Sequence, residues 1–525
     1  MSSSAIPAKF ISLVPTNGNQ FDGGQGKKII FELEPSLGYV KGRDSYLVLK
    51  VLNNDTSERQ RVMFNNLAGV SSIMSRVDIY SLKTGQHLET LENYNKWSAI
   101  ENQYFYDDKT NIQSLQGVGS EAYANDVDST GKCEPTAPLA SSPNDSVLSP
   151  VDDSGRAVYN YRVFTTPLKA GIFRWWDDER LCPVLNLLGL RIEITLEDPK
   201  VALLNVAAHL KDGSTHAIGS SASATLSVAN TTAGDTTITT NGAGFNNPVR
   251  DCGFSVGNII NIHGDVTGTP TTEQATITAM AANGDQIDLT VAALTNTMTG
   301  VTIRLSNDLR AYKVEPEFRV LQVAPPNANI SGIDYEFTTY DLYFDTLFSS
   351  QRKHQIDIPS VQTKALAIMT QFDDPATAQL TTYSSYFTGE LPSVVDGTGT
   401  LKGMNMDSVQ YFINGRLQPV RAYDPRTQRE KIISEHELVK ALTTINKEPE
   451  DLGQSDQHNL NNYTNTYLIA RELARGNYFY DLSDAEPQIR LGFSAARTSN
   501  LTCNTFVWSK RVVVADPAQG LRVIL

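Results

Sequence analysis

The heptapeptide Leu190-Arg-Ile-Glu-Ile-Thr-Leu196 alternates apolar and polar side chains without a break. Successive side chains of a strand point to opposite faces, so Leu190, Ile192, Ile194 and Leu196 make one apolar face and Arg191, Glu193 and Thr195 the other. Such a segment needs a sheet around it, and the chain supplies one. Residues 10–14, 29–33, 46–52 and 77–80 are rich in strand formers and are separated by Gly, Asn, Asp and Pro clusters. Residues 312–323, 505–514 and 521–525 read the same way. Within 409–419, Asn414-Gly415 stands between apolar arms, the pattern of a two-residue hairpin. The chain is therefore expected to be all-β.

Helices are few. Leu88, Leu91, Tyr94, Trp97 and Ile100 recur at helical spacing and predict a helix over residues 87–104. Ser434 and Glu437 have the spacing of a capping box, with Leu438, Leu442 and Ile445 following on one face. Each half thus carries one main helix among strands. Both halves also hold a strand that ends in Asp-Pro, at Asp198-Pro199 and Asp516-Pro517.

Two stretches depart from this rhythm. Residues 107–157 are rich in Ser, Asp, Gly, Asn and Pro and read as a long surface loop. Residues 207–303 hold only Lys211 and Arg250 as basic residues, while Thr, Ala, Gly and Asn dominate. Short strands are expected there at 235–240, 258–262, 275–278 and 286–289, with turns at Gly257-Asn258 and Asn283-Gly284. The shift in composition marks a small β-barrel inserted into a host domain. Residues 324–327, Ala-Pro-Pro-Asn, look like a connector to the second β-rich half.

Length and charge bound the function. A chain of 525 residues can bury several cores. Its formal charge of −14 argues against direct nucleic-acid binding, which needs clustered Lys and Arg. Cys133, Cys182, Cys252 and Cys503 form no CxxC pair, so no zinc site or disulfide framework is expected, and a reducing compartment is the simpler reading. The N-terminal residues have no signal-peptide pattern, and no apolar stretch is long enough for a transmembrane helix. The Asn54–Thr56 glycosylation triplet is read as chance.

No catalytic, cofactor or metal residue can be named from spacing. His87, His209, His216, His263, His354, His436 and His458 show no paired ligand spacing. Gly23-Gly-Gln-Gly-Lys-Lys28 lacks the first Gly and the final Ser or Thr of a phosphate loop, and a strand follows it instead of a helix. It reads as a turn. Asp177-Asp178-Glu179 could serve acid–base chemistry or a cation but reads as a polar turn beside Trp175 and Trp176. The Trp pair and Phe173 are packing candidates, in a core or between domains, or contacts between copies of the chain.

One segment carries a family resemblance. Pro167-Leu168, Phe173, Trp175, Cys182-Pro-Val-Leu185 and the alternating strand 190–196 follow one another as at the end of the first barrel in double-jelly-roll major capsid proteins. Phe412-Ile-Asn-Gly-Arg416 resembles the corresponding hairpin of the second barrel. The nearest resemblance is to capsid proteins of virophages, polinton-like viruses and large eukaryotic DNA viruses. It implies two jelly-roll β-barrels in tandem, the first over 1–206 with 304–326 and the second over 327–525, and a small inserted β-domain at 207–303 forming a surface tower. It also implies a non-enzymatic shell protein of the virion, made in the host cytoplasm or nucleus without a cofactor. Homotrimers with a pseudo-hexagonal outline would tile an icosahedral capsid, with penton and minor capsid proteins as further partners and a host receptor or glycan met through 207–303. The competing reading is a carbohydrate-binding or carbohydrate-active β-sandwich protein, since such proteins also join many strands with surface aromatics.

Overall fold

The computed structural model describes residues 8–53, 62–64, 68–105, 147–148, 161–177, 180–205, 226–227, 232–239, 259–283, 286–291, 293–305, 311–324, 332–373, 406–424, 428–445, 468–474, 478–483, 485–494, 500–516 and 520–525. Most of the expected loop at 107–157, both turns proposed within the insert, the Asn54–Thr56 triplet, the connector after Ala324, Cys133, Cys252, His209, His216, His458, Asp178 and Glu179 fall wholly or partly outside these residues.

The first half builds two antiparallel sheets. One contains β1 (Lys9–Leu13), β4 (Tyr39–Asn53), β9 (Tyr161–Pro167) and β18 (Tyr312–Ala324), in the order β1-β18-β4-β9, with the short β2 (Phe21–Asp22) added on β18. The other contains β3 (Lys28–Leu33), β6 (Met74–Ser81), β7 (His87–Glu92) and β10 (Leu190–Leu196), in the order β3-β10-β6-β7. Counting its eight main strands along the chain, the first sheet reads first-eighth-third-sixth and the second reads second-seventh-fourth-fifth.

The second half repeats this order. Its strands are β19 (Ile333–Leu347), β20 (Lys353–Asp357), β21 (Ala365–Asp373), β22 (Met406–Ile413), β23 (Arg416–Tyr423), β24 (Leu468–Glu472), β25 (Gln488–Phe493) and β26 (Leu501–Asp516), with β27 (Gly520–Ile524) added on β26. The sheets run β19-β26-β21-β24 and β20-β25-β22-β23, again first-eighth-third-sixth and second-seventh-fourth-fifth. Two four-stranded sheets wound in this order and packed face to face are a jelly roll, and the chain contains two. In each, one helix lies between the fifth and sixth strands: α1 (Tyr94–Phe105) and α2 (Gln428–Thr444).

The insert lies between the seventh and eighth strands of the first barrel. It contains β12 (Leu226–Ser227), β13 (Thr237–Thr239), β14 (Ile259–Val266), β15 (Thr269–Asn283), β16 (Gln286–Val291) and β17 (Thr299–Leu305), joined in one sheet of order β12-β17-β14-β15-β16-β13. Ile238, Ile260, Ile262, Ile277, Met298 and Val301 are buried within it. Three short strands lie at its root. β5 (Val62–Phe64), β8 (Val147–Leu148) and β11 (Leu203–Asn205) come from three different inter-strand loops and pair as β11-β5-β8. The loops after the third, fifth and seventh strands therefore gather at one end of the barrel.

Strand β10 has the face expected from its alternation: Leu190, Ile192, Ile194 and Leu196 are buried. Glu193 on its other face is also mostly buried, in ion pairs with Lys28 and Arg191 at 2.8 and 2.7 Å. Three readings need correction. Residues 87–92 are strand β7, not the first turns of a helix; they pair with β6 from Arg76–Glu92 to Tyr80–His87. The residue after them, Asn93, has φ +49, and this left-handed break separates strand from helix. Helix α2 starts at Gln428, so Ser434 is an interior residue and caps nothing; Glu437 instead pairs with Arg471 at 2.6 Å. The two Asp-Pro pairs are not equivalent, because β10 is a seventh strand and β26 an eighth.

The hairpin at Asn414-Gly415 forms as its residues dictate, with φ +49 and +71 joining β22 to β23. A Cβ on Gly415 would meet nothing within 4 Å, so only the backbone conformation opposes a side chain there. Gly415→Ala is expected to cost about 1 kcal/mol, read as a lower urea midpoint with an unchanged slope.

Candidate functional site

The distinctive feature of the molecule is the seam between its barrels. Sheet β19-β26-β21-β24 is buried on both faces. Ile368, Val507, Ile469, Phe372 and Cys503 point into the second barrel's own core. Tyr340, Phe506, Trp508, Ala367 and Met369 join a different core, the one that fills the first barrel. The registers explain this: Tyr340 and Ala367 flank Trp508, and Leu342 and Met369 flank Phe506, so all share one face.

Aromatic rings from the first barrel close on that face. Trp97 of α1 sits 4.5 Å from Trp508, 5.3 Å from Phe506 and 5.8 Å from Tyr340. Trp176, from the long loop between β9 and β10, meets Trp508 edge-on at 4.8 Å and Tyr340 at 6.0 Å. Aromatic pairs at such separations contribute about 0.5–1.5 kcal/mol each beyond the area they bury. The chain has four tryptophans, and Trp97, Trp175, Trp176 and Trp508 are all buried in or beside this seam. Phe173 differs: it lies in the first barrel against Phe318, at 5.9 Å.

Polar groups fix the angle at which the barrels meet. β19 is the outer strand of its sheet, and an open strand edge left in an apolar seam would carry unpaired backbone groups. The loop from the first barrel caps it. The Thr338 N–H and hydroxyl donate to the Asp177 carboxylate at 2.7 and 2.8 Å. Arg174 donates to the Glu336 carbonyl at 2.6 Å, and the Tyr335 hydroxyl donates to the Ile172 carbonyl at 2.8 Å. Asp177 is therefore a buried latch between barrels, not a solvated member of an acidic turn. Composition around it gave no sign of this, because its partner lies 161 residues away.

Glu89 sits at the centre of the latch. Its carboxylate accepts from the Gly171 and Ile172 N–H groups, both at 2.9 Å, and from the Thr339 hydroxyl at 2.6 Å. Arg511 lies nearby, donating to the Leu88 carbonyl at 3.1 Å and paired with Asp341 at 3.0 Å. Burial pushes the Glu89 carboxyl above its ordinary value, against the opposing pull of its three hydrogen bonds and the Arg511 charge.

Among the other sequence candidates, the Gly23–Lys28 segment, His87 and His354 make none of the seam contacts described above. The Gly23–Lys28 segment is a turn leading into β3, and Gly23 packs against the ring of Tyr312. His87 bonds Thr90, and His354 packs on Phe493. Among the described residues no group of three His, Cys, Asp or Glu could hold a metal. No helix among them is long and apolar enough to cross a membrane. Cys182 is buried and its thiol is pushed up to about 12 by that burial, which makes it a poor nucleophile.

No family model and no curated protein matches the chain. Solved structures do match. The Faustovirus major capsid protein is 10% identical over 97% of this chain and 90% of its own, with a TM-score of 0.49. A PBCV-1 virus capsid chain is 11% identical over 100% and 98%, with a TM-score of 0.46. The mavirus major capsid protein is 10% identical over 100% and 92%, with a TM-score of 0.37. All three are structures of viral capsid proteins.

Two measurements probe the seam. A Cβ at Gly171 would stand 2.1 Å from the Thr338 carbonyl oxygen and 2.8 Å from Glu89 Oε1. Gly171→Ala is expected to cost about 1–3 kcal/mol through this clash, measured as a loss of the urea midpoint. The raised Glu89 value means that the folded form holds its proton more tightly than the unfolded chain does. Acidification from neutrality toward the ordinary carboxylate value therefore adds stability through this group, and raising the pH removes it. Glu89→Gln does not titrate, so the thermal midpoint of the wild type should rise relative to that of this variant as pH falls from about 7 to about 5.

Proposed function

We propose that the chain is a structural major capsid protein whose action is self-assembly into the shell of a virion. The observation that carries this reading is the pair of jelly rolls of identical strand order, locked side by side through one buried aromatic sheet face. A chain that doubles one domain inside itself and fixes the angle between the copies is a building block with internal quasi-symmetry. Further copies can extend that relation by the same kind of contact.

The elements that form the seam indicate how. Strand β7, helix α1 and the loop segment 168–177 of the first barrel cover the second barrel's sheet. Their counterparts in the second barrel are β23, α2 and the segment after β24. These carry Val420, Ile433 and Tyr478, exposed to 88%, 43% and 82%. The first barrel's corresponding sheet turns outward a face with Phe10 and Val163, 55% and 52% exposed. Phe10 stacks edge-on with Tyr46 there, at 5.8 Å. Apolar side chains on both surfaces fit a second seam between neighbouring copies, head to tail. Such a heterologous contact makes a closed ring when its rotation divides the circle. With two barrels per chain, three copies give six barrels and a pseudo-hexagonal outline that can tile an icosahedral shell.

The insert fits a tower on this block. It leaves the barrel at the end where three loops pair as β11-β5-β8, and exposed loop ends are where inserted domains are tolerated. A receptor or glycan would be met there, and penton and minor capsid proteins would meet the edges of the ring. No catalytic role is part of this reading.

Sedimentation of the purified chain is expected to give trimers, with a hexagonal outline in negative stain. The double variant Val420→Glu, Tyr478→Glu should sediment as monomers while keeping its far-ultraviolet circular dichroism. Wild-type protein that stays monomeric at high concentration overturns the proposal.

A further inference from the structure

A second buried cluster lies on the first barrel's side of the seam, behind Trp97 and Trp176. Lys169 and Glu101 are both fully buried, with side-chain exposures of 0%. Asn102, next to Glu101 on α1, is also buried. The Lys169 amine donates to Asn102 Oδ1 at 2.7 Å and stands 3.9 Å from Glu101 Oε2. The shorter contact of the amine is thus to the amide, not to the carboxylate. Around Glu101 the indole N–H groups of Trp97, Trp175 and Trp176 converge at 3.2, 2.5 and 3.3 Å.

An amine, a carboxamide and a carboxylate held together away from water are the reactants and proton carrier of an intramolecular transamidation. We propose that Lys169 and Asn102 become joined by an isopeptide bond, with Glu101 carrying the protons. The carboxylate of Glu101 takes a proton from the Lys169 ammonium. The freed amine attacks Cγ of Asn102, one bond from the oxygen it already touches, after a small rotation of the amide. The tetrahedral centre collapses with cleavage of the Asn102 Cγ–Nδ2 bond. The second proton lost from Nζ and the one held by Glu101 go to the departing nitrogen, which leaves as ammonium. One C–N bond forms and one breaks, the charge is conserved, Glu101 returns to its carboxylate, and nothing is oxidised or reduced.

Three features of the site favour this step. The reacting groups are ordered in advance by the fold, which replaces an encounter with a fixed approach. The backbone N–H of Lys169 donates to the Tyr94 hydroxyl at 2.9 Å, so the lysine is anchored to α1 at two points. The surroundings are dry, so water does not compete with the amine for the amide carbonyl. The three indole donors leave Glu101 satisfied as a carboxylate once its cationic neighbour has gone. The product bond would close a loop of 67 residues within the first barrel, joining α1 to the segment that clamps β19. None of this depends on the assembly reading.

Mass spectrometry of the folded, then denatured and trypsin-digested full chain tests it. The expected result is a branched peptide joining the Lys169 and Asn102 segments, lighter by one ammonia, with no cleavage after Lys169. Glu101→Gln keeps the shape of the site but carries no proton between the groups, and should yield folded protein with the two peptides separate. Lys169→Arg should give the unlinked peptides and a thermal midpoint lower by several degrees. Wild-type peptides at their sequence masses overturn the proposal, whatever the variants do. A linked peptide in Glu101→Gln overturns the role given to Glu101.

Discussion

The structure depends on one sheet, β19-β26-β21-β24, burying aromatic side chains on its outer face as well as apolar ones inside its own barrel. Its inner face fills the second barrel, and its outer face carries Tyr340, Phe506 and Trp508, on which Trp97 and Trp176 of the first barrel close. A sheet of this kind cannot leave its second face in water without exposing a contiguous aromatic patch. The two barrels are therefore one folding problem, even though each has the strand order of a complete domain. Apolar area supplies the attraction between them, but area alone has no preferred angle. The angle is set by directional contacts: Asp177 on the Thr338 backbone, Arg174 on the Glu336 carbonyl, and Glu89 between two loop N–H groups and the Thr339 hydroxyl.

This division of labour explains what the sequence disclosed. Strands with one wet face declare themselves by alternation, as residues 190–196 do, and the hairpin at Asn414-Gly415 declares itself by the φ values its residues tolerate. The insert stood out because its composition changes abruptly, and the sheet it forms has its own buried Ile and Val residues. Residues 87–92 misled because Leu88 and Leu91 satisfy helical spacing as the strand's own buried positions run straight into α1. Only Asn93, at φ +49, marks the junction, and a single Asn is a faint signal. The false capping box at Ser434 arose similarly, from a helix whose true start carries no apolar periodicity strong enough to extend it backward.

The seam's polar members were not legible at all. Glu89 and Thr339 are 250 residues apart, and Asn93 and Asn504 are 411 apart. No local pattern encodes such pairs, because each residue alone is an ordinary polar side chain on a strand or loop. The tryptophans gave a partial signal: a Trp-Trp pair in a chain with only four must be buried somewhere. Which surface it served depended on Trp97 and Trp508, more than 400 residues apart in the chain and 4.5 Å apart in space.

The small sheet β11-β5-β8 has a consequence for how such a chain can change. It ties three loops together by backbone hydrogen bonds at the foot of the insert, while β18, on the far side of the insert, is held in register by both β1 and β4. Both exits of the intervening hundred residues are thereby clamped independently of what lies between them. Lengthening a segment with fixed ends costs only a slowly growing entropy, about 0.6 kcal/mol for each doubling. Selection can thus redraw the insert, or exchange it wholesale, while the two barrels keep their sequence constraints untouched.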